Sequence, residues 1–546
     1  MKKTKKTMGL SVVVLLLFLT LLAVLVYLSA RIAFFFFFDY HWYEKVAAGA
    51  LLLAELFILT HSLGYFLNVL LSFRKNKEPV QTYSLPVLDS YPPTAVVVAS
   101  YHEPLDILED TLTCFFNLTY PNKHLVFLDD TRYDLAGANP EEMSRYRQAV
   151  DDLCRNLGIN LFRRQWRGAK AGIINDFNDF LAKRPKGGFE FTAYSEKPLP
   201  DDVKYLIVFD ADQNPFPDFI EPLAARMESD PKLAFVQTPQ YYSNFEHNRV
   251  ARGAGLQQAV FYEYICEGKS ISDAMFCCGT NVIFRRQALE DVGGFDEDSV
   301  TEDIVTSFKF HQKGWRSSYM NKICAFGMGP EDLGGYFKQQ FRWALGTVGL
   351  ARRMLLAFLH RPLSLPFSKW WEYFLSGTHY FVGWAFFIMI YCPVLYLLLG
   401  VPSYFVQPEI YFLVFAPYMV LSISLFIWTL GSRRYGLLEL FMGQMLIGAS
   451  FPVFMKASFL GIMGFKGKFR ITPKSGGDSL PLLDLWPQVL TAMLCLAAMV
   501  VGGLKLYFEP VAPLAVAVNI FWCSYHLFIV STAVFYFNRP TEAAKK

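Results

Sequence analysis

The 546-residue chain is 53% hydrophobic and 17% aromatic, yet only 18% charged, where a soluble domain carries roughly 25%. That composition excludes intrinsic disorder, a collagen-like chain and a small disulfide scaffold, and argues against a wholly soluble protein. The 51 basic and 48 acidic residues leave a net charge of +3 without a basic stripe, so no nucleic-acid partner is expected.

In chain order, the first element is an apolar run at 8–30, long enough for the roughly 20 residues a bilayer core needs. It is too long for a usual signal-peptide core and lacks a small-x-small cleavage site, so a retained helix is predicted. A second span is predicted at 46–73, interrupted by Glu55 and His61. Four more follow late in the chain, at 373–400, 410–431, 486–508 and 514–537. The stretch 438–464 is also apolar but holds Glu439, Pro452 and Lys456. Basic residues favour the cytoplasmic side. Lys2, Lys3, Lys5 and Lys6 place the N-terminus there, and Arg74, Lys75 and Lys77 return the chain to it. The cluster Lys466, Lys468, Arg470 and Lys474 is reconciled only if 438–464 lies along the interface rather than crossing. Six spans, with residues 78–370 in the cytoplasm, satisfy every basic cluster. None of the nine Cys forms a C-x-x-C pair, so a zinc ribbon or thioredoxin-type site has no support, and reduced thiols are expected.

The middle block alternates short apolar runs with helical patterns, which indicates α/β organisation. Strands are predicted at 94–101, 124–130, 160–164, 205–212 and 234–240, and helices at 140–157 and 171–183. Ligands of open α/β sheets bind at the carboxyl ends of strands. Asp210 and Asp212 stand at such an end, two residues apart, and share one side of an extended chain. Two hard oxygen donors there suit Mg2+ or Mn2+, although Asp, Asn and Pro also make an ordinary turn. Asp129 and Asp130 close another strand, where a carboxylate can accept from a base or sugar, or again make a turn. RGAKAG (167–172) permits close backbone approach, with Lys170 available to phosphate, although many helices begin this way. Thr301 can cap a helix running to Gly314, with Glu302 and Asp303 in its first turn, where the macrodipole favours negative charge. Gln339, Arg342 and Trp343 precede a mixed basic and apolar run that reads as an amphipathic helix on the membrane.

In order, SYHE (100–103), LDD (128–130), RGAKAG (167–172), DAD (210–212), QTPQYY (237–242), FCCGT (276–280), TED (301–303) and QQFRW (339–343) resemble the processive, inverting family-2 glycosyltransferases, and cellulose synthases most closely. FRITPK (469–474) resembles the gating loop of cellulose synthases, which hyaluronan and chitin synthases do not share. The resemblance implies an α-helical polytopic membrane protein with an inserted cytoplasmic α/β domain, GT-A-like and Rossmann-related. Its parts are two transmembrane helices in 1–77, a glycosyltransferase domain at 78–350 and interfacial amphipathic helices at 351–372. Four transmembrane helices fill 373–546, with an interfacial helix (438–464) and a gating loop (465–482).

The implied activity is polymerisation of a nucleotide sugar, with UDP-glucose favoured, into a β-glucan secreted through the protein's own channel in the plasma (inner) membrane. By that resemblance Asp303 is the general base, in the Thr301-Glu302-Asp303 motif, and Asp210 and Asp212 hold the metal. Tyr101, Glu103 and Asp130 hold the nucleoside, Lys170 and Arg342 meet the diphosphate, Gln339 belongs to the nucleotide-sugar site, and Thr472 and Lys474 close over the nucleotide. Trp343, Cys278 and Gly279 border the acceptor sugar. Trp384, Tyr391 and Trp428 are candidates either for the channel lining or for lipid contact. Gln213 stands where cellulose synthases commonly carry His, which puts a third metal contact in question. The chain ends just after its last span, so a PilZ domain and direct cyclic-diguanylate control through this chain are not expected. A subunit in the outer envelope is a conceivable partner. Open alternatives are a non-processive transferase with a lipid acceptor, a mannan, chitin-like or hyaluronan-like product, and a transporter or receptor with a large cytoplasmic domain.

Overall fold

A computed structural model describes residues 10–75, 88–135, 137–184, 187–404, 408–433, 435–465, 467 and 479–539. The α/β part is built on eleven strands: β1 (Thr94–Ser100), β2 (Lys123–Asp129), β3 (Asn160–Arg164), β4 (Phe189–Thr192), β5 (Tyr205–Asp210), β6 (Gln213–Pro215), β7 (Leu233–Gln237), β8 (Tyr241–Tyr242), β9 (Val282–Arg285), β10 (Arg316–Tyr319) and β11 (Ala325–Gly327). Eight form one sheet in the order β10-β7-β9-β5-β1-β2-β3-β4, and three form a small second sheet, β6-β11-β8. β1, β2, β3 and β5 run parallel, whereas β4 and β9 are antiparallel to their neighbours.

The parallel strands are apolar on both sides because helices cover both faces. Successive side chains of β1 divide between them. Val96 and Val98 join Leu108, Leu112 and Phe115 on one face. Ala95 and Val97 join Ile173, Ile174 and Phe177 on the other. The helix Pro140–Leu157 has its N-cap bond from Asn139 and ends at Gly158 in the left-handed region.

Among the described residues, six helices are long and apolar enough to cross a membrane: Ser11–Phe37, Trp42–Phe73, Phe367–Leu399, Glu409–Gly431, Leu482–Phe508 and Pro513–Phe537. The chain is thus a multi-pass membrane protein with an α/β domain set between its second and third candidate spans. The expected single helix at 438–464 is instead two, Leu437–Ala449 and Phe451–Ile462, bent by 52°. Pro452 lies in the first turn of the second helix, where its missing N–H costs nothing, so it starts a helix rather than sitting inside one. The domain boundary expected at 350/351 falls inside one unbroken helix, Leu333–His360.

Candidate active site

Strand register brings the first residues together. Ser100 pairs with Asp129 across β1 and β2, and Ala99 pairs with Asp210 across β1 and β5. Three parallel strands therefore end at one level, with Tyr101, Asp130 and Asp210 at or just beyond that edge. The neighbours Asp129 and Asp130 do different work. Asp129 is buried and fully engaged, accepting from the Thr131 N–H (3.1 Å), the Tyr133 hydroxyl (2.6 Å) and Arg163 Nε (2.7 Å). Asp130 faces Arg164 at 3.0 Å. Burial, which outweighs that cation, pushes its carboxyl up to about 8.

Arg164 also shapes the next turn, donating to the carbonyls of Arg167 and Ala169. Gly168 and Ala169 are both left-handed there, at φ 57° and 50°. A Cβ on Gly172 would sit 2.3 Å from the Arg167 carbonyl oxygen, so only glycine allows this tight entry into the helix Ala169–Leu181. The turn delivers Lys170 to Asp210, which accepts from its ammonium, and to the Gly279 carbonyl at 2.7 Å. Burial opposes the charge on Lys170, but Asp210 and Glu302 outweigh it and raise its pKa.

Opposite stands the first turn of the helix Glu302–Gln312. Thr301 does not cap it as expected: its hydroxyl lies 3.3 Å from that of Ser299 and makes no cap bond. Thr301 packs instead against Gly346 of the helix Leu333–His360, where a Cβ would come within 2.5 Å of the threonine side chain. Gln339, Arg342, Trp343 and Gly346 recur at helical spacing, so this close contact turns the whole QQFRW face towards the acidic turn. Gln339 lies beside the Tyr242 hydroxyl, and its buried Oε1 has no hydrogen-bond partner among the described residues. Burial raises the pKa of Glu302 despite Lys170 and Arg342 nearby. Asp303 accepts from the Ile304 N–H at 2.8 Å, and burial, reinforced by Glu302, pushes it up to about 7. A Cβ on Gly279, which is left-handed at φ 84°, would lie 3.2 Å from Asp303 Oδ2. The structure thus gathers Lys170, Asp210, Gly279, Glu302 and Asp303 about one point. Arg342 sits close enough to act on Glu302.

The remaining expectations divide. Tyr101 and Glu103 are part-buried at the strand edge, and the Glu103 carbonyl accepts from Tyr146. Cys278 is held by its backbone, donating to Gln237 and accepting from Gln240. Asp212 is part-buried near Tyr242. Gln213 is committed to the fold: its Oε1 accepts from Asn281, and the Gly327 backbone lies against its amide. Among the described residues no group of three or more His, Cys, Asp or Glu is placed to hold a metal. Thr472 and Lys474 lie outside the described residues. Trp384 and Tyr391 are tied to Ser458 and Thr491 of neighbouring helices, and Trp428 is exposed. The tethers missed by sequence reading are Gln237 and Thr280. Thr280 Oγ1 accepts from the Asp210 backbone N–H at 3.0 Å.

A membrane-helix bundle carrying an α/β domain, with basic and acidic side chains gathered at its strand edge, defines the class. Residues 205–430 match the model of glycosyl transferase family group 2. Cellulose synthase 2 of Novacetimonas hansenii is 26% identical over 550 residues, covering 96% of this chain and 31% of that protein. The UDP-forming cellulose synthase catalytic subunit of Pseudomonas fluorescens is 25% identical over 545 residues, covering 97% and 67%. The chain therefore spans about a third of the first relative and two thirds of the second. Among solved structures, the mannosyltransferase PcManGT of Pyrobaculum calidifontis, in complex with GDP-Man and Mn2+, superposes with a TM-score of 0.46 at 16% identity, covering 75% of this chain and 99% of that one. The chain is thus similar over some 96% of its length to bacterial cellulose synthases, at about 26% identity, with a glycosyltransferase family match confined to residues 205–430.

Proposed function

We propose that this membrane glycosyltransferase is processive and inverting, extending a β-glucan from UDP-glucose on the cytoplasmic side and passing it outward through its own helices. The observation that carries the reading is the convergence of Lys170, Asp210 and Asp303 beside the Gln339–Arg342–Trp343 helix face. The names of the cellulose synthases it resembles, one of them UDP-forming, support the choice of donor and product.

The acceptor's sugar hydroxyl is a poor nucleophile, and Asp303 takes its proton as the new C–O bond forms. The anomeric bond to the diphosphate breaks on the opposite face, so an α-linked donor yields a β-glycoside. Lys170 and Arg342 offset the charge that gathers on the leaving diphosphate. Asp210 and Asp212 fit a divalent cation as partial ligands: two carboxylates leave further positions to phosphate oxygens and water, as Mg2+ prefers. When bound, Mg2+ or Mn2+ supplies further positive charge to the leaving group. Tyr101, Glu103 and Asp130 hold the nucleoside, with Thr472 and Lys474 closing over it. Trp343 stacks under the terminal sugar of the acceptor, bordered by Cys278 and Gly279.

The test is incubation of the full chain, in lipid nanodiscs, with a panel of radiolabelled nucleotide sugars, followed by sizing and linkage-specific hydrolases. A polymer ladder from UDP-glucose, released by β-glucanases, is the expected result. A single glycolipid product would overturn processivity, and a ladder from another donor would overturn the choice of sugar.

A further inference from the structure

Gln237, the last residue of β7, is fully buried, and of the positions assigned above to donor or acceptor it meets only Cys278, through that residue's backbone. Its amide is spent on backbone. Oε1 accepts from the Cys278 N–H (2.8 Å), while Nε2 donates to the carbonyls of Thr238 (2.8 Å), Thr280 (2.8 Å) and, more weakly, Asn281 (3.3 Å). Three of these four contacts land on the turn 278–281. That turn needs holding, because Gly279 and Asn281 are both left-handed, at φ 84° and 57°, and Asn281 bears a side chain there. Such a conformation persists only where its surroundings over-determine it. Gln237 grips the turn from one side, and Gln213 grips Asn281 from the other at 3.1 Å.

The turn has three outputs, each to a different reacting group. Thr280 Oγ1 accepts from the Asp210 backbone N–H at 3.0 Å. The Gly279 carbonyl accepts from Lys170 at 2.7 Å. The Gly279 Cα faces Asp303 with no room to spare, since a Cβ there would already lie 3.2 Å from Oδ2.

We infer that Gln237 is a positioning residue for sugar transfer: by stapling the turn 278–281 it sets Lys170, Asp210 and Asp303 at their mutual distances. The inference rests on the glycosyltransferase reading and deepens it. A carboxylate base, a phosphate-binding ammonium and a metal-binding carboxylate sit on three separate elements, and one buried amide keeps them in register through backbone alone.

Gln237→Leu removes every one of these bonds with little change in volume. It is expected to lower kcat by about 10- to 100-fold, as a misplacement of roughly 1 Å does. It also moves the acidic limb of the rate profile to higher pH, because Lys170, no longer tethered to Gly279, holds Asp303 ionised less well. Thr280→Val cuts the link to Asp210, along with the hydroxyl's bond to Asn281 Oδ1 (3.2 Å) within the same turn, and is expected to lower kcat too, whereas Thr280→Ser keeps the hydroxyl and restores it. Thr280→Val therefore carries the test even if Gln237→Leu does not fold. Asn160→Ala is the control: it removes a buried side chain that accepts from the Tyr194 and Ser195 N–H groups at the far edge of the sheet, and leaves the limb in place. Rates are taken per folded molecule, relative to the unaltered chain on whichever donor it uses. A non-polymeric product would thus overturn processivity without touching this comparison. Unaltered kcat and an unmoved limb in Gln237→Leu and Thr280→Val would overturn the inference, as would activity lost only in step with folded protein.

Discussion

The helical bundle and the α/β domain treat charge in opposite ways. In the bundle, Arg31 pairs with Glu55 at 2.7 Å, lies over the Tyr404 ring at 4.2 Å, and shares Glu55 with the Tyr27 hydroxyl at 2.6 Å. Where the bundle meets residues 261–271 of the α/β domain, Lys269 and Glu372 lie 2.8 Å apart, and Arg433 reaches both Glu263 (3.3 Å) and Glu267 (2.9 Å). Each buried charge there has an opposite charge at contact distance, so these groups hold helices together. At the edge of the sheet, Glu302 and Asp303 are consecutive part-buried carboxylates beside Lys170, and Glu302 raises the cost of ionising Asp303. One region cancels its charges, and the other keeps them ready for a substrate. A buried ionic group signals chemistry only when its neighbours leave it short of a matched partner.

The contrast can be broken most sharply at Asp303. Asp303→Asn is expected to cut sugar incorporation by about 10²- to 10⁴-fold while UDP binding, measured by calorimetry, survives. Full incorporation would remove Asp303 from the base role. Next in size is the cation: excess chelator is expected to lower turnover by about 10²-fold or more, reversed by Mg2+ or Mn2+. Undiminished turnover would leave Asp210 and Asp212 as ordinary turn residues.

The pH dependence follows from the same carboxyl. Asp303 is pushed up to about 7, so the ionised base accumulates as pH rises through that value and is lost below it. The rate at pH 6 is expected to be about a tenth of that at pH 8, as for a single base titrating between them. An acidic limb near 4 would place the catalytic proton elsewhere. The smallest effect on activity is expected in the bundle. Arg31→Met strands Glu55 and should destabilise by about 3–5 kcal/mol, whereas Arg31→Met with Glu55→Met should recover most of that loss. Transfer per folded molecule stays unchanged in both, as thermal unfolding and incorporation together would show.

How much of this was legible in the sequence depended on whether the cause is local. The strand at 160–164 and the helix at 140–157 run as expected, because apolar runs, Asn139 and Gly158 mark them nearby. Asp210 and Asp303 could be singled out because a strand end and a first helical turn are local facts. Arg31 was missed. A span ending at residue 30 treats the arginine as the edge of the membrane, whereas the helix continues to Phe37 with its charge cancelled by Glu55, 24 residues away. Thr301 looked like a cap, yet a glycine 45 positions further on claims its side chain. Gln237 stood only in the quoted string QTPQYY and drew no role of its own, because its worth lies in which turn folds over it.

The helix Leu333–His360 joins the two regions in one rigid rod. Trp343 lies ten residues into it, while Leu355, Leu356 and Leu359 are exposed near its far end at His360, seven residues before a candidate span begins at Phe367. At about 1.5 Å per residue, some 24 Å separate Trp343 from Leu359. Such a rod fixes the spacing between Trp343 and the exposed leucines, so whatever grips the one also sets the other.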